Sequence, residues 1–201
     1  MMELVETQYT VHDLIRGRWS PYAFSTRTVE WEKLRVLLEA SRWATSSFNE
    51  QPWYFLIATQ DMPDEYSRLL SCLTESNQSW AGQAPVLMLS FAKLHFDHHD
   101  KPNRHALHDV GAAVCNLTIQ ALALDLFVHQ MAGFDSEKAR SLFNIPTGYE
   151  PVAAIAIGYL GTPQTLPEKY QQREATPRTR KPLTEFVFTG DWGQPSAIVT
   201  G

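Results

Sequence analysis

Residues 86–92 read Val-Leu-Met-Leu-Ser-Phe-Ala directly after Pro85, and the apolar side chains run on without alternating. A strand with one wet face alternates apolar and polar residues, so a strand built from this run has to be covered on both faces. Helical segments that can provide the cover flank it. Residues 29–42 place Trp31, Leu34, Leu37 and Leu38 on one helical face, with Thr28 as N-cap and Glu30 in the first turn. A second helical patch covers 64–73. The longest helix spans 105–126, where Leu107, Val110, Val114, Leu117, Ala121 and Leu124 form a stripe; Gly111, Ala112 and Ala113 leave room for another backbone.

Three more apolar runs read as strands: 53–58 after Pro52, 127–132, and 153–160. Gly133 breaks the second of these. Asp135 then caps a short helix to Phe143, and Pro146 stops any continuation. From Gly161 onward, Pro163, Pro167, Pro177 and Pro182 forbid a long regular element. Tyr170, Phe186, Phe188 and Trp192 nevertheless carry too much aromatic surface to stay in water, so this arm must dock on something. The pattern is α+β: one domain over 1–201, a modest sheet flanked by helices, with 163–201 as a C-terminal arm.

Composition removes several function classes. A chain of 201 residues with 44% apolar content can bury a sizeable core. Seventeen basic residues against 22 acidic ones give a net charge of −5, which leaves no basic field for a nucleic-acid backbone. Two cysteines, Cys72 and Cys115, cannot build a disulfide framework; they point to a reducing, cytoplasmic setting, with Cys115 as a small core residue. No apolar stretch suits a membrane span. No G-x-S-x-G, Walker A or G-x-G-x-x-G motif occurs. His95, His98, His99, His105 and His108 crowd one stretch, but without cysteine or H-E-x-x-H spacing they read as a mobile polar loop rather than a metal site.

Three segments carry chemical content. In 16–24, Arg16, Arg18 and Ser20 follow a short helix-like stretch, and the planar fork of arginine suits phosphate oxygens. In 45–53, Thr45, Ser46, Ser47, Asn49 and Gln51 offer donors and acceptors to a polar heterocycle, or else satisfy their own loop backbone. In 177–182, Arg178 and Arg180 alternate, so in an extended segment both point to one side and suit a single anion.

Taken together, these segments resemble the nitroreductase family. Arg18-Trp-Ser-Pro-Tyr-Ala-Phe24 is similar to its R-x-S-x-x-x-F opening, and Ser46-Ser-Phe-Asn-Glu-Gln-Pro-Trp53 to its S-S-x-N-x-Q-P-W signature. Asn77-Gln-Ser-Trp-Ala81, Met131-Ala-Gly-Phe134, Ala156-Ile-Gly-Tyr159 and the arginine-rich arm follow in the matching order. The resemblance implies a three-layer fold with a central mixed, mainly antiparallel sheet, and a homodimer with FMN at the subunit interface. It implies that Arg18, Trp19 and Ser20 hold the phosphate and ribityl end, joined by Arg178 and Arg180. Asn77 is expected at the pyrimidine side of the ring, with Ser46, Ser47 and Asn49 reaching it from the other subunit. Met131, Ala132 and Gly133 are expected to lie against the isoalloxazine, the Ala132 N–H near N5.

The implied activity is NAD(P)H-dependent, ping-pong reduction of a small planar electron acceptor such as a nitroaromatic, quinone or enal. Because the flavin carries the hydride, no side-chain acid or nucleophile is required. Other flavin chemistries on the same fold (dehalogenation, flavin fragmentation) and a storage or sensing role are the alternatives. Thr45, Tyr22, Asp125 and Ala132 depart from the residues common in the family at those places, respectively proline, a basic residue, glycine and glutamate.

Overall fold

Four strands form one sheet: β1 (Trp53–Thr59), β2 (Val86–Lys93), β3 (Phe127–Met131) and β4 (Tyr149–Gly158). Their order is β1-β2-β4-β3, and all three pairings are antiparallel, in keeping with the mainly antiparallel sheet expected. The structure is a computed structural model that describes residues 4–99 and 101–200. The helices are α1 (Asp13–Gly17), α2 (Trp31–Arg42), α3 (Pro63–Cys72), α4 (Glu75–Ala81), α5 (Ala106–Ala123), α6 (Ser136–Phe143), α7 (Glu168–Glu174) and α8 (Ala197–Thr200). Among the described residues no helix is long and apolar enough to cross a membrane.

The unbroken run of β2 explains the layering. Leu87, Leu89 and Phe91 point to one face and join Ala154 and Ala156 of β4, Trp80, Tyr66, Leu69 and Tyr170. Val86, Met88 and Ala92 point to the other, with Ile155, Ile157, Leu34, Leu37, Val110, Val114 and Leu117. Helices α2 and α5 therefore cover one face, and α3, α4, α6 and the arm cover the other. Each large side chain buried this way contributes about 1.5–3 kcal/mol.

Several expectations shift on contact with tertiary structure. Helix α2 starts at Trp31, with Glu30 rather than Thr28 in the cap position. The core position falls to Val29, 1% exposed, while Trp31 is 54% exposed. The Glu30 carboxylate makes no cap bond; it accepts the Tyr159 hydroxyl at 2.6 Å and an Arg27 N–H at 2.8 Å. Helix α5 stops at Ala123 because Asp125 takes a left-handed backbone, φ 60°. Leu107 is exposed and leaves the stripe, and Cys115 is exposed rather than core. A Cβ on Gly111 would meet nothing within 4 Å, so no backbone among the described residues uses the room it leaves.

Strand β4 begins at Tyr149 and carries Pro151, which pairs with Phe91 across a register shift. Beyond the reach of β3, one side of β4 is an open edge there, and a missing N–H costs no ladder bond. Helix α4 escaped the sequence reading altogether. It has seven residues and buries only Trp80 and Ala81, too little for a periodic signal. In the arm, Tyr170 docks on the core, but Phe186 and Trp192 stay exposed, so only part of the aromatic surface docks within the chain.

Candidate functional site

Arg18 sits just after α1, where the chain turns extended. The C-terminal arm returns to this point: the Arg178 guanidinium donates to the carbonyls of Arg16 at 3.2 Å and Arg18 at 3.4 Å. Arg16, Arg18, Arg178, Arg180 and Lys181 line one cavity of about 790 Å³. The N-terminal segment from Val5 to Val11 and Cys115 and Ile119 of α5 contribute its less charged walls. Burial, then the charges of Arg180 and Arg178, push the Arg18 pKa below its ordinary value. Like charges have been crowded into a half-buried cleft, an arrangement that a bound anion would relieve. The Arg18 guanidinium also reaches the Ser20 hydroxyl at 3.4 Å. Trp19, part-buried, packs edge-on against Phe127 of β3.

The segment that follows Arg18 is tied down residue by residue. His129 of β3 donates through Nδ1 to the Pro21 carbonyl at 2.8 Å, and its ring packs against those of Trp80 and Tyr22, which also touch each other. Burial lowers its pKa, so the imidazole is held neutral with its proton on Nδ1. The Tyr22 N–H donates to Glu174 of α7 at 2.8 Å, and the Gly161 N–H donates to the Ala23 carbonyl at 2.9 Å.

A second group gathers at the end of β3. Asn77 of α4 donates to the Gly133 carbonyl at 2.9 Å and accepts from the Trp80 indole at 3.3 Å. A Cβ on Gly133 would stand 2.6 Å from Asn77 Nδ2, so a side chain there would push the Asn77 amide aside. Met131 is buried in the core, and Ala132 is exposed.

The third group is the loop between α2 and β1. Phe48, Asn49 and Gln51 all have positive φ, 55°, 56° and 53°, a cost that must be met elsewhere. The buried Asp109 of α5 accepts the Ser47 N–H at 3.0 Å, and Ser46 Oγ accepts the Gln51 N–H at 3.0 Å. Glu50 ties the loop to the His-rich stretch by accepting the Asp97 N–H at 2.7 Å. The strained loop holds Phe48 out at 85% exposure.

Within one chain the structure thus joins Arg18, Ser20, Arg178 and Arg180, and separately joins Asn77 to Gly133. Ser46, Ser47 and Asn49 belong to neither group. Glu174 and the cavity-facing Cys115 were missed by sequence reasoning; nothing near either residue marks a contact made across the fold. The His-rich stretch brings no group of three or more metal-ligating residues together among the described residues. Asp100, within that stretch, lies outside the described residues.

Comparison with known proteins extends these observations. The sequence model of the nitroreductase family matches residues 15–78 and 63–159. An uncharacterized 15.4 kDa protein in the ask 5′ region of Mycolicibacterium smegmatis is 38% identical over 135 residues, 67% of this chain and 90% of that protein. A crystal structure of an oxidoreductase containing FMN is similar with a TM-score of 0.89 and 35% identity, covering 93% of this chain and 95% of that one. A Desulfovibrio desulfuricans protein solved in complex with FMN has a TM-score of 0.67 and 27% identity, over 89% of this chain and 95% of that one.

Proposed function

The chain belongs to the nitroreductase family, and from that premise we propose an FMN-dependent oxidoreductase that uses NADH or NADPH to reduce small, electron-poor planar molecules. The observation that carries the reading is the convergence of Arg18, Arg178 and Arg180 on one cavity. An FMN phosphate carries nearly two negative charges at neutral pH, and charge-assisted bonds from arginine are the strong ones. The cavity, about 790 Å³, has room for the phosphate end of such a cofactor. Both solved relatives named above contain FMN.

FMN, when bound, supplies the chemistry of accepting and passing on a hydride. The residues of the chain bind and orient. Arg18, Arg178 and Arg180 would hold the phosphate, with Ser20 and the Trp19 backbone beside it. Asn77 would face the pyrimidine edge, and its bond to Gly133 would keep that amide in place. Met131, Ala132 and Gly133 would present backbone to the ring, with the Ala132 N–H near N5 as a fixed dipole for charge that develops there.

Ser46, Ser47 and Asn49 stand apart from the arginine cluster, which supports their contribution from the second chain of a homodimer. Nitroaromatics, quinones and enals fit the acceptor class, taken in turn with the nicotinamide at one site in a ping-pong cycle. The two free cysteines suit a cytoplasmic setting.

The test is anaerobic. Protein loaded with FMN should bleach with NADH or NADPH and recolour with a nitroaromatic or quinone. Bleaching by dithionite but by neither nicotinamide would remove the proposed electron donor.

A further inference from the structure

We infer that Glu174 is a positioning residue for the phosphate end of the proposed FMN site: it clamps the arm to Tyr22 so that Arg178 and Arg180 face Arg18. The inference deepens the FMN reading and rests on it.

The arm has to bring two guanidinium groups up to a third, against their mutual repulsion. Charge alone would swing it away, and Arg18 already feels both arm arginines. Something else must fix its path. Tyr170 supplies the first anchor: it is buried, its ring lies 5.1 Å from that of Tyr22, and its hydroxyl bonds to Ser76. One helical turn later, Glu174 Oε2 accepts the Tyr22 N–H at 2.8 Å, and the Ala23 N–H also favours its ionised form. Four residues further on, Arg178 reaches the carbonyls of Arg16 and Arg18.

The chain from Arg18 to Tyr22 and the chain from Glu174 to Arg178 thereby form the two sides of a short closed frame, bonded at both ends. Tyr22 is shared by the first two anchors. Removing the carboxylate opens the frame at the end away from the cavity and leaves Arg178 to hold the stretch beyond the Tyr170 anchor. Burial pushes the Glu174 pKa above its ordinary value, and the Tyr22 and Ala23 N–H groups pull it only part of the way back.

The experiment compares the full wild-type chain with Glu174→Ala and Glu174→Gln. FMN and riboflavin, which lacks the phosphate, are titrated by fluorescence, and tryptic cleavage after Arg178 is timed without flavin. Glu174→Ala should weaken FMN about tenfold and leave riboflavin unchanged, because only the phosphate reads the arginines. Glu174→Gln, which keeps one accepting oxygen, should recover most of the loss. In an Arg178→Ala/Arg180→Ala background, Glu174→Ala should cost no further FMN affinity. The arm should be cut faster in Glu174→Ala. Equal losses for FMN and riboflavin, or an additive cost in the arginine-free background, overturn the inference. So does unchanged cleavage of the arm. A wild-type chain that takes up no FMN overturns the flavin reading alone, and the tryptic rate then still decides whether Glu174 holds the arm.

Discussion

The Arg178 guanidinium donates to the carbonyl of Arg18 at 3.4 Å, a bond between residues 160 positions apart. Both side chains line the same cavity, and the positive charge of each opposes that of the other. Binding and stability should therefore separate at Arg18. Arg18→Ala should lose about 2 kcal/mol of FMN affinity, roughly thirtyfold, because a charge-assisted phosphate contact disappears. The melting temperature without FMN should hold or rise slightly, since like charges are relieved. Inorganic phosphate should stabilise the wild type more than the variant. An Arg18→Ala chain that binds FMN as tightly as wild type would remove Arg18 from the phosphate site.

His129 is the titratable group that braces the segment beside Arg18. Its neighbours, the rings of Trp80 and Tyr22 and the Pro21 carbonyl, carry no charge to stabilise an imidazolium. Burial lowers its folded pKa, so the unfolded chain binds the proton more readily than the folded one. The stability this group contributes is complete above the unfolded value of about 6.5 and is lost as pH falls through the lower folded value. Wild-type melting temperatures should thus decline as pH falls below about 6.5, and the decline should be shallower in His129→Asn. Parallel curves for the two proteins would exclude His129 as the source.

Local signals were legible in the sequence, and contacts between distant residues were not. Asp135 was readable as a cap because the motif is complete within four residues: its side chain accepts the Lys138 N–H at 2.9 Å. The continuous run of β2 was readable because burial on both faces leaves no polar alternation. The alternating arginines were readable as a pair, and the extended segment does present both to one cavity. The exchange of Trp31 for Val29 depends on where α2 begins, and tertiary contacts set that start. Helix α4 is held by the burial of Trp80 rather than by a stripe. The bond from Tyr22 to Glu174 joins residues 152 apart, and neither side chain nor spacing announces it.

Two glycines provide a graded test of packing. A Cβ on Gly161 would stand 2.4 Å from the backbone carbon and oxygen of Phe24, where the chain donates its Gly161 N–H to Ala23. Backbone cannot step aside, so Gly161→Ala should cost about 3 kcal/mol or more in urea denaturation. At Gly133 the obstacle is the amide of Asn77, 2.6 Å away, at the end of a rotatable side chain. Gly133→Ala should cost less, about 1–2 kcal/mol, and should weaken FMN binding by displacing Asn77. The reverse ranking would show that the Phe24–Gly161 contact is not as rigid as its geometry implies.

Trp192 stands 93% exposed at the far end of the arm, its ring 5.3 Å from that of Phe188, with exposed Phe186 and Ile198 on the same stretch. So much apolar surface in water is unfavourable, and a buried tryptophan commonly dominates a protein interface. The arm accordingly should pack on a second copy of the chain, and the chain should sediment as a dimer at micromolar concentration. Trp192→Ser should weaken that dimer by at least about 2 kcal/mol, roughly thirtyfold, without loss of helical signal from the separate chains. On the proposal that Ser46, Ser47 and Asn49 reach the flavin of the partner, FMN affinity should fall as the dimer dissociates and recover with protein concentration. A wild-type chain that sediments as a monomer would refute the dimer. A Trp192→Ser chain that stays dimeric would show that the interface lies elsewhere than the arm.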